Sequence, residues 1–206
     1  MLYMWRNEKM DERLLKASCI VFDVGNVLLS FEPEKVAELL PGEHRQALYT
    51  AMFGPDWRWA AFDLGVESND EIAQSMAEAA GVPGGKEMVL YAFRHFYETM
   101  NPLPLYHLIP ELKSMGKRLY ALTNYGEPAF SFAKEHFPSL QLLEGEVVSS
   151  REKIMKPDGK IFRLIAARYQ LTPGETLFID DSLANCQGAE KEGFQTWHYF
   201  GDDRIA

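Results

Sequence analysis

Short apolar runs constrain this chain more than any other feature in it. Cys19–Phe22, Arg118–Leu122 and Thr176–Ile179 are almost continuously apolar, Glu146–Ser149 is a weaker example, and Gln195–Tyr199 adds a fifth near the end. A strand that is apolar at successive positions has both faces buried, which is the habit of parallel sheets covered by helices. Helical patterns separate most of these runs. Glu127–Phe137 carries Pro128 in what reads as its first turn, where a missing N–H costs nothing. Lys160–Tyr169 lines up Ile161, Phe162, Ile165 and Tyr169 on one face, and Leu183–Glu192 stops at Gly193, a fitting helix-ending residue. Strands alternating with helices predict an α/β fold built on a Rossmann-like parallel sheet.

The stretch from about Glu32 to Met100 breaks that alternation and reads as several helices in a row. Ser68-Asn69-Asp70-Glu71 is a capping box ahead of Ile72, Met76 and Ala79, and Val89, Phe93, Phe96, Tyr97 and Met100 mark another amphipathic helix. Asn101-Pro102-Leu103-Pro104 then punctuates a return to the sheet. The expected organisation is an N-terminal extension over residues 1–17, an α/β core over 18–31 and 104–206, and an inserted α-helical cap over 32–103.

A chain of 206 residues has ample material for such a core plus an insertion. Its formal charge of −9 argues against nucleic-acid partners, which are held by neutralising phosphates with Lys and Arg. A local pocket can still take a small anion. Cys19 and Cys186 are far apart, without metal-type spacing, and fit a reducing cytoplasmic setting. Residues 1 to 16 are too charged for a secretory leader, and no run of about 18 apolar residues occurs, so no membrane span is expected. Neither repeats nor spacing predict an oligomeric state.

Ligands of open parallel sheets bind beyond the carboxyl ends of the strands, so the residues that follow each run matter most. Asp23-Val24-Gly25-Asn26-Val27 follows the first run and Thr123-Asn124 the second. Ser149 through Asp158, with Lys156-Pro157, follows the weaker run, and Asp180-Asp181-Ser182 follows Thr176–Ile179 directly. Three carboxylates, two small hydrogen-bonding side chains and a lysine would converge on one rim, the equipment for holding a magnesium ion and a phosphate together. Taken singly, each segment has a plain reading: a turn, a cap, an exposed lysine. Adjacent acids at a strand end are less ordinary, because they repel unless a cation lies between them. The joint occurrence in this order favours function.

Taken together, the four segments resemble the ordered motifs of haloacid dehalogenase-like hydrolases with a helical cap. The resemblance implies that Asp23 is the nucleophile and forms an aspartyl-phosphate. It implies that Thr123 and Asn124 hydrogen-bond the transferred phosphoryl oxygens and that Lys156 neutralises charge between Asp23 and the phosphate. It also implies a Mg2+ site made of Asp23, the Gly25 carbonyl and Asp181, with Asp180 beside it and Asn185 supporting the loop. The expected activity is magnesium-dependent hydrolysis of a small phosphorylated metabolite, with a sugar phosphate as the fitting example.

The sequence departs from the family at Gly25, where most of its phosphatases carry a second aspartate that protonates the leaving oxygen. Side-chain acid catalysis at that position, typically worth about 10²–10⁴-fold, is therefore missing. The Asp-x-Gly-Asn-Val start is similar to that of the alpha-D-glucose-1-phosphate phosphatase subgroup. Two rival readings are metal-free dehalogenation of a 2-haloacid, with Asp23 attacking carbon, and a phosphate-ligand binding protein without turnover. Adjacent Asp180 and Asp181 speak against the first, and retained Asp23, Lys156 and Asp181 against the second.

Other features carry less weight. Trp57, Arg58, Trp59 and Phe62 read as an aromatic cluster packed under the cap, and Arg151 as a solvated loop residue. Tyr125 can pack or face a substrate, and Asp158 reads as a helix cap. The histidines at 44, 95, 107, 136 and 198 show no metal-ligand spacing.

Overall fold

In the computed structural model, which describes residues 10–56 and 58–201, five parallel strands form one sheet. They are β1 (Cys19–Phe22), β2 (Arg118–Thr123), β3 (Gly145–Val148), β4 (Thr176–Asp180) and β5 (Gln195–His198), in the order β3-β2-β1-β4-β5. The first strand is therefore central. Its register places Phe22 beside both Ala121 and Ile179, so the ends of β1, β2 and β4 reach the same rim.

The apolar runs become strands because both faces of the sheet are covered. Ile20 and Phe22 join the larger core with Leu119, Ala121, Leu177 and Ile179. Cys19 and Val21 point the other way, into a second core with Tyr120, Leu122, Phe162, Ile165 and Phe178. Fully burying side chains of this size contributes roughly 1.5–3 kcal/mol each, which favours strands that are apolar at successive positions.

Five residues ahead of the sheet form the helix α1 (Glu12–Lys16), capped by the Asp11 side chain, and its Leu14 is fully buried. Arg13 lies over the Trp197 ring, 3.8 Å from its centroid, so this part of the expected extension packs on the core. The remainder, residues 1–9, lies outside the described residues.

Between β1 and β2 come α2 (Pro33–Glu38), α3 (Arg45–Phe53), α4 (Trp59–Leu64), α5 (Asn69–Ala80) and α6 (Gly85–His95), then a 3-10 turn over Phe96–Thr99. The expected capping box is present in full: Ser68 Oγ accepts from the Glu71 N–H, and the Glu71 carboxylate accepts from the Ser68 N–H. The two crossings between sheet and helices are paired with each other. The Ser30 N–H donates to the Asn101 carbonyl at 2.8 Å, and the Leu103 N–H to the Leu28 carbonyl at 2.9 Å.

The chain returns through α7 (Pro104–Ser114), and α8 (Ala129–His136) follows β2. This helix starts later than its sequence suggests, with Pro128 as the cap residue rather than in the first turn. A single helical turn, α9 (Ser149–Glu152), closes β3, and α10 (Gly159–Tyr169) and α11 (Leu183–Lys191) complete the second face. Among the described residues no helix is long and apolar enough to cross a membrane.

Candidate active site

The site assembles where the central strands end. Asp23 extends β1 by one residue, since its N–H still donates to the Ile179 carbonyl at 2.8 Å. Its Oδ1 accepts from the Val24 N–H at 2.7 Å, which fixes the carboxylate in the turn. Asn26 then adopts a left-handed φ of 56°, a conformation that asparagine tolerates better than most residues. There its Oδ1 accepts from the Phe31 N–H at 2.9 Å and its Nδ2 donates to Asp181 Oδ2 at 3.2 Å. One side chain thus ties the loop after β1 to the loop after β4.

Lys156 enters from the loop after β3 and is buried, with its Nζ 2.9 Å from Asp23 Oδ1 and 2.6 Å from Asp180 Oδ2. Its backbone is held at both ends by one asparagine. The Lys156 N–H donates to Asn124 Oδ1 at 2.9 Å, and Asn124 Nδ2 donates to the Lys156 carbonyl at 3.0 Å. That leaves one amide hydrogen of Asn124 for another acceptor. Asp180 is fully buried and also accepts from the Ser182 N–H at 2.8 Å and from Asn185 Nδ2 at 3.0 Å. Asn185 thus supports this loop through Asp180. Thr123 Oγ1 is buried with no hydrogen-bond partner among the described residues. A buried hydroxyl left alone costs about 1–3 kcal/mol, which an incoming oxyanion would relieve.

Asp23, Asp180 and Asp181 each place an oxygen within 4.8 Å of the others. Among the described residues this is the cluster suited to a metal ion, and no histidine takes part. Burial above all, helped by repulsion from Asp180 and Asp181 and opposed by the pull of Lys156, leaves the Asp23 carboxyl raised to about 7. Burial and the neighbouring Asp180 also hold Asp181 above the usual carboxylate range. Burial alone would disfavour the Lys156 ammonium, but the Asp180 and Asp23 carboxylates outweigh it and raise its pKa. Hard oxygen donors that repel one another in this way fit a divalent cation, whose charge favours their ionised forms.

The structure leaves other residues outside this chemistry. Arg151 is tied up by Glu127 and Glu146 and stacks near Phe130. Asp158 caps α10 through the Lys160 N–H. Tyr125 is buried, its hydroxyl donating to Met100 Sδ. Trp59 and Phe62 are packed into an aromatic cluster in which Phe62 stacks on Phe93 with ring centroids 4.0 Å apart. Trp57 lies outside the described residues. Both cysteines are buried, and burial pushes the Cys186 thiol up to about 12.

Three participants escape a reading of the sequence. Asn26 is one, and Ser149 is another: its Oγ accepts from the Tyr125 N–H and donates to the Asp63 carbonyl, joining the strand ends to α4. Asp63 is the third. Burial and the nearby Asp23 hold its carboxyl well above the ordinary value, while the Gly126 N–H and Lys156 pull it down. The available signal was a lone acid in the otherwise apolar run Trp59-Ala60-Ala61-Phe62-Asp63-Leu64.

An open parallel sheet with acids, a hydroxyl and a buried lysine at its carboxyl edge defines a Rossmann-like α/β protein with a strand-end ligand site. Residues 17–193 match the family model of haloacid dehalogenase-like hydrolases, and the chain belongs to that family. It is similar to the sesquiterpene phosphatase astK of Aspergillus oryzae, 26% identical over 179 residues that cover 86% of this chain and 87% of the relative. Its fold is similar to that of a family enzyme from Bacteroides thetaiotaomicron in complex with magnesium and inorganic phosphate. That likeness has a TM-score of 0.74 at 22% identity, covering 90% of this chain and 95% of the other. The L-2-haloacid dehalogenase of Xanthobacter autotrophicus has a TM-score of 0.62 at 17% identity, covering 87% and 76%.

Proposed function

We propose that this hydrolase cleaves small phosphate monoesters with Asp23 as nucleophile and magnesium as cofactor. The observation that carries the reading is the buried Lys156 ammonium between Asp23 and Asp180, with Asp181 close by. A dehalogenase that needs no metal gains nothing from adjacent acids, and a mere binder has no use for a placed nucleophile. The astK relative, a phosphatase by name, supports the same choice.

In the first step Asp23 attacks phosphorus and the ester oxygen departs, leaving an aspartyl-phosphate. Water then attacks phosphorus, releasing inorganic phosphate and restoring Asp23. Lys156 holds Asp23 in its attacking form and balances charge as the phosphoryl group moves. Thr123 Oγ1 and the second amide hydrogen of Asn124 bind phosphoryl oxygens. Asp23, Asp181 and the Gly25 carbonyl would hold Mg2+, with Asp180 anchoring Lys156 beside it, and the bound ion supplies charge neutralisation for the phosphate. Residues 32–103 act as the cap, excluding water and selecting the substrate. The paired crossings at Leu28–Ser30 and Asn101–Leu103 are its natural hinge.

The first motif, Asp23-Val24-Gly25-Asn26-Val27, favours a sugar phosphate as substrate, and the two free, buried cysteines suit a reducing, cytoplasmic setting. A second reading follows the sesquiterpene phosphatase relative and replaces the sugar phosphate with an apolar organic phosphate. The test is phosphate release from a panel of sugar, aryl and prenyl phosphates, with and without magnesium. Magnesium-dependent release supports the reading, and full activity after metal removal, or release of halide from 2-haloacids, overturns it.

A further inference from the structure

Gly25 has room for a side chain. A Cβ there would meet only the Phe31 Cβ at 3.8 Å, an ordinary contact, and the residue needs no left-handed backbone. Sterics therefore do not explain why the position lacks a carboxylate. The chemistry still requires a proton for the departing oxygen, and the structure brings another acid to the same place.

That acid is carried by the last turn of α4, which is clamped to the rim at three points. Phe62 lies so close over Gly126 that a Cβ on that glycine would fall 2.2 Å from the ring. The Asp63 carbonyl accepts from Ser149 Oγ, which also accepts from the Tyr125 N–H next to Thr123-Asn124. Gly65 ends α4 at φ 65°, pressed against Ser150, and its carbonyl accepts from Lys153 Nζ. Asp63 sits between these contacts, partly accessible, with its carboxyl close enough to feel Asp23 and Lys156.

We propose that Asp63 is the general acid and base of this hydrolase, doing from the cap what the family's second aspartate does from the loop after β1. The inference rests on the phosphatase reading above. As Asp23 Oδ bonds to phosphorus, the P–O ester bond breaks and the Asp63 O–H passes its proton to the ester oxygen, giving the free alcohol. Asp63, now a carboxylate, takes a proton from the water that attacks the aspartyl-phosphate. The Asp23–phosphate bond breaks, inorganic phosphate leaves and Asp63 is protonated again.

Two observations suit this role. The protonated form is favoured by burial and by the negative Asp23, as a donor to an ester oxygen must be. Asp63 is partly accessible, and its carbonyl is held by the Ser149 hydroxyl that also accepts from the Tyr125 N–H, so its backbone is fixed beside the end of β2. Because α4 belongs to the cap, the acid arrives only when the cap is seated, so closure and proton transfer become one event.

The test compares kcat/KM of the magnesium-loaded full chain and Asp63→Asn on 4-nitrophenyl, phenyl and butyl phosphate. A nitrophenolate needs little help to leave, whereas an alkoxide needs a proton. Asp63→Asn should lose roughly 10²–10⁴-fold on butyl phosphate and less than about tenfold on 4-nitrophenyl phosphate. Equal loss on all three makes Asp63 structural and overturns the inference alone. If the variant does not fold, the wild type decides. Assisted departure keeps its rates on the three esters within about 10³-fold, and a spread beyond about 10⁵-fold means that no acid acts. No turnover of any ester by the magnesium-loaded wild type overturns the phosphatase reading itself, and the inference with it.

Discussion

The Lys156 ammonium lies 2.9 Å from the Asp23 carboxylate, with both side chains almost wholly removed from water. Its second contact, Asp180 at 2.6 Å, makes it a charged bridge between the ends of β1 and β4. Removing one partner of a buried charge group leaves the others uncompensated, typically at a cost of about 3–5 kcal/mol. Lys156→Met should therefore lower stability by about that amount in urea melts as well as abolish turnover. A change below about 1 kcal/mol would show that the carboxylates find water or simply take up protons.

Replacing the proposed nucleophile, Asp23, should do the opposite to stability. Asp23 is buried among like charges, and its Asn isostere removes the repulsion from Asp180 and Asp181. Asp23→Asn should keep or raise the melting temperature while turnover falls below about 3% of wild type. An active variant would mean that another group attacks phosphorus.

Metal binding can be read without catalysis. If Asp23, Asp181 and the Gly25 carbonyl hold magnesium, the ion binds the folded chain alone and raises its stability. The gain should reach about 2.7 kcal/mol at a hundred times the dissociation constant. Asp181→Asn should remove most of that gain, and chelation should remove it from the wild type. The same melting temperature with magnesium and with chelator would sink this site.

Glu146 on β3 offers a pH test away from the site. Burial raises its pKa, but Lys134 at 2.8 Å and Arg151 at 3.1 Å outweigh that and hold it below the ordinary 4.5. A depressed carboxyl contributes stability that is present above the unfolded value and lost as pH falls through the folded one. Glu146→Gln should thus cost about 1 kcal/mol at pH 7 and almost nothing at pH 3. The same cost at both pH values would mean that packing, not charge, sets the contribution.

The strands were legible because each is short, apolar and buried on both faces, so that Cys19–Phe22 could hardly be anything else. Asp23, Lys156, Asp180 and Asp181 were legible because they follow strands directly, and topology then carries them to one rim. Asp63 was not. Forty residues separate it from Asp23, and only the seating of α4 on Ser149 and Gly126 brings the two together. Asn124 shows the same limit in a milder form. Its position was readable, but the double hydrogen bond to the Lys156 backbone depends on a loop from another strand.

Gly25 and Asp63 should behave as two alternative sources of one proton. In the wild type, Gly25→Asp should change kcat/KM for butyl phosphate by less than about tenfold, because the ester oxygen is already served. In the Asp63→Asn background the same substitution should recover at least about tenfold, since a side chain at position 25 has room beside Phe31 and lies two residues from Asp23. The two changes would then be strongly non-additive, as expected of groups acting on the same bond. On 4-nitrophenyl phosphate the cycle should close nearly additively, because that leaving group needs no proton. Additive effects on butyl phosphate would mean that the two positions act on different steps. A Gly25→Asp gain as large in the wild type as in Asp63→Asn would mean that no acid was in place to begin with.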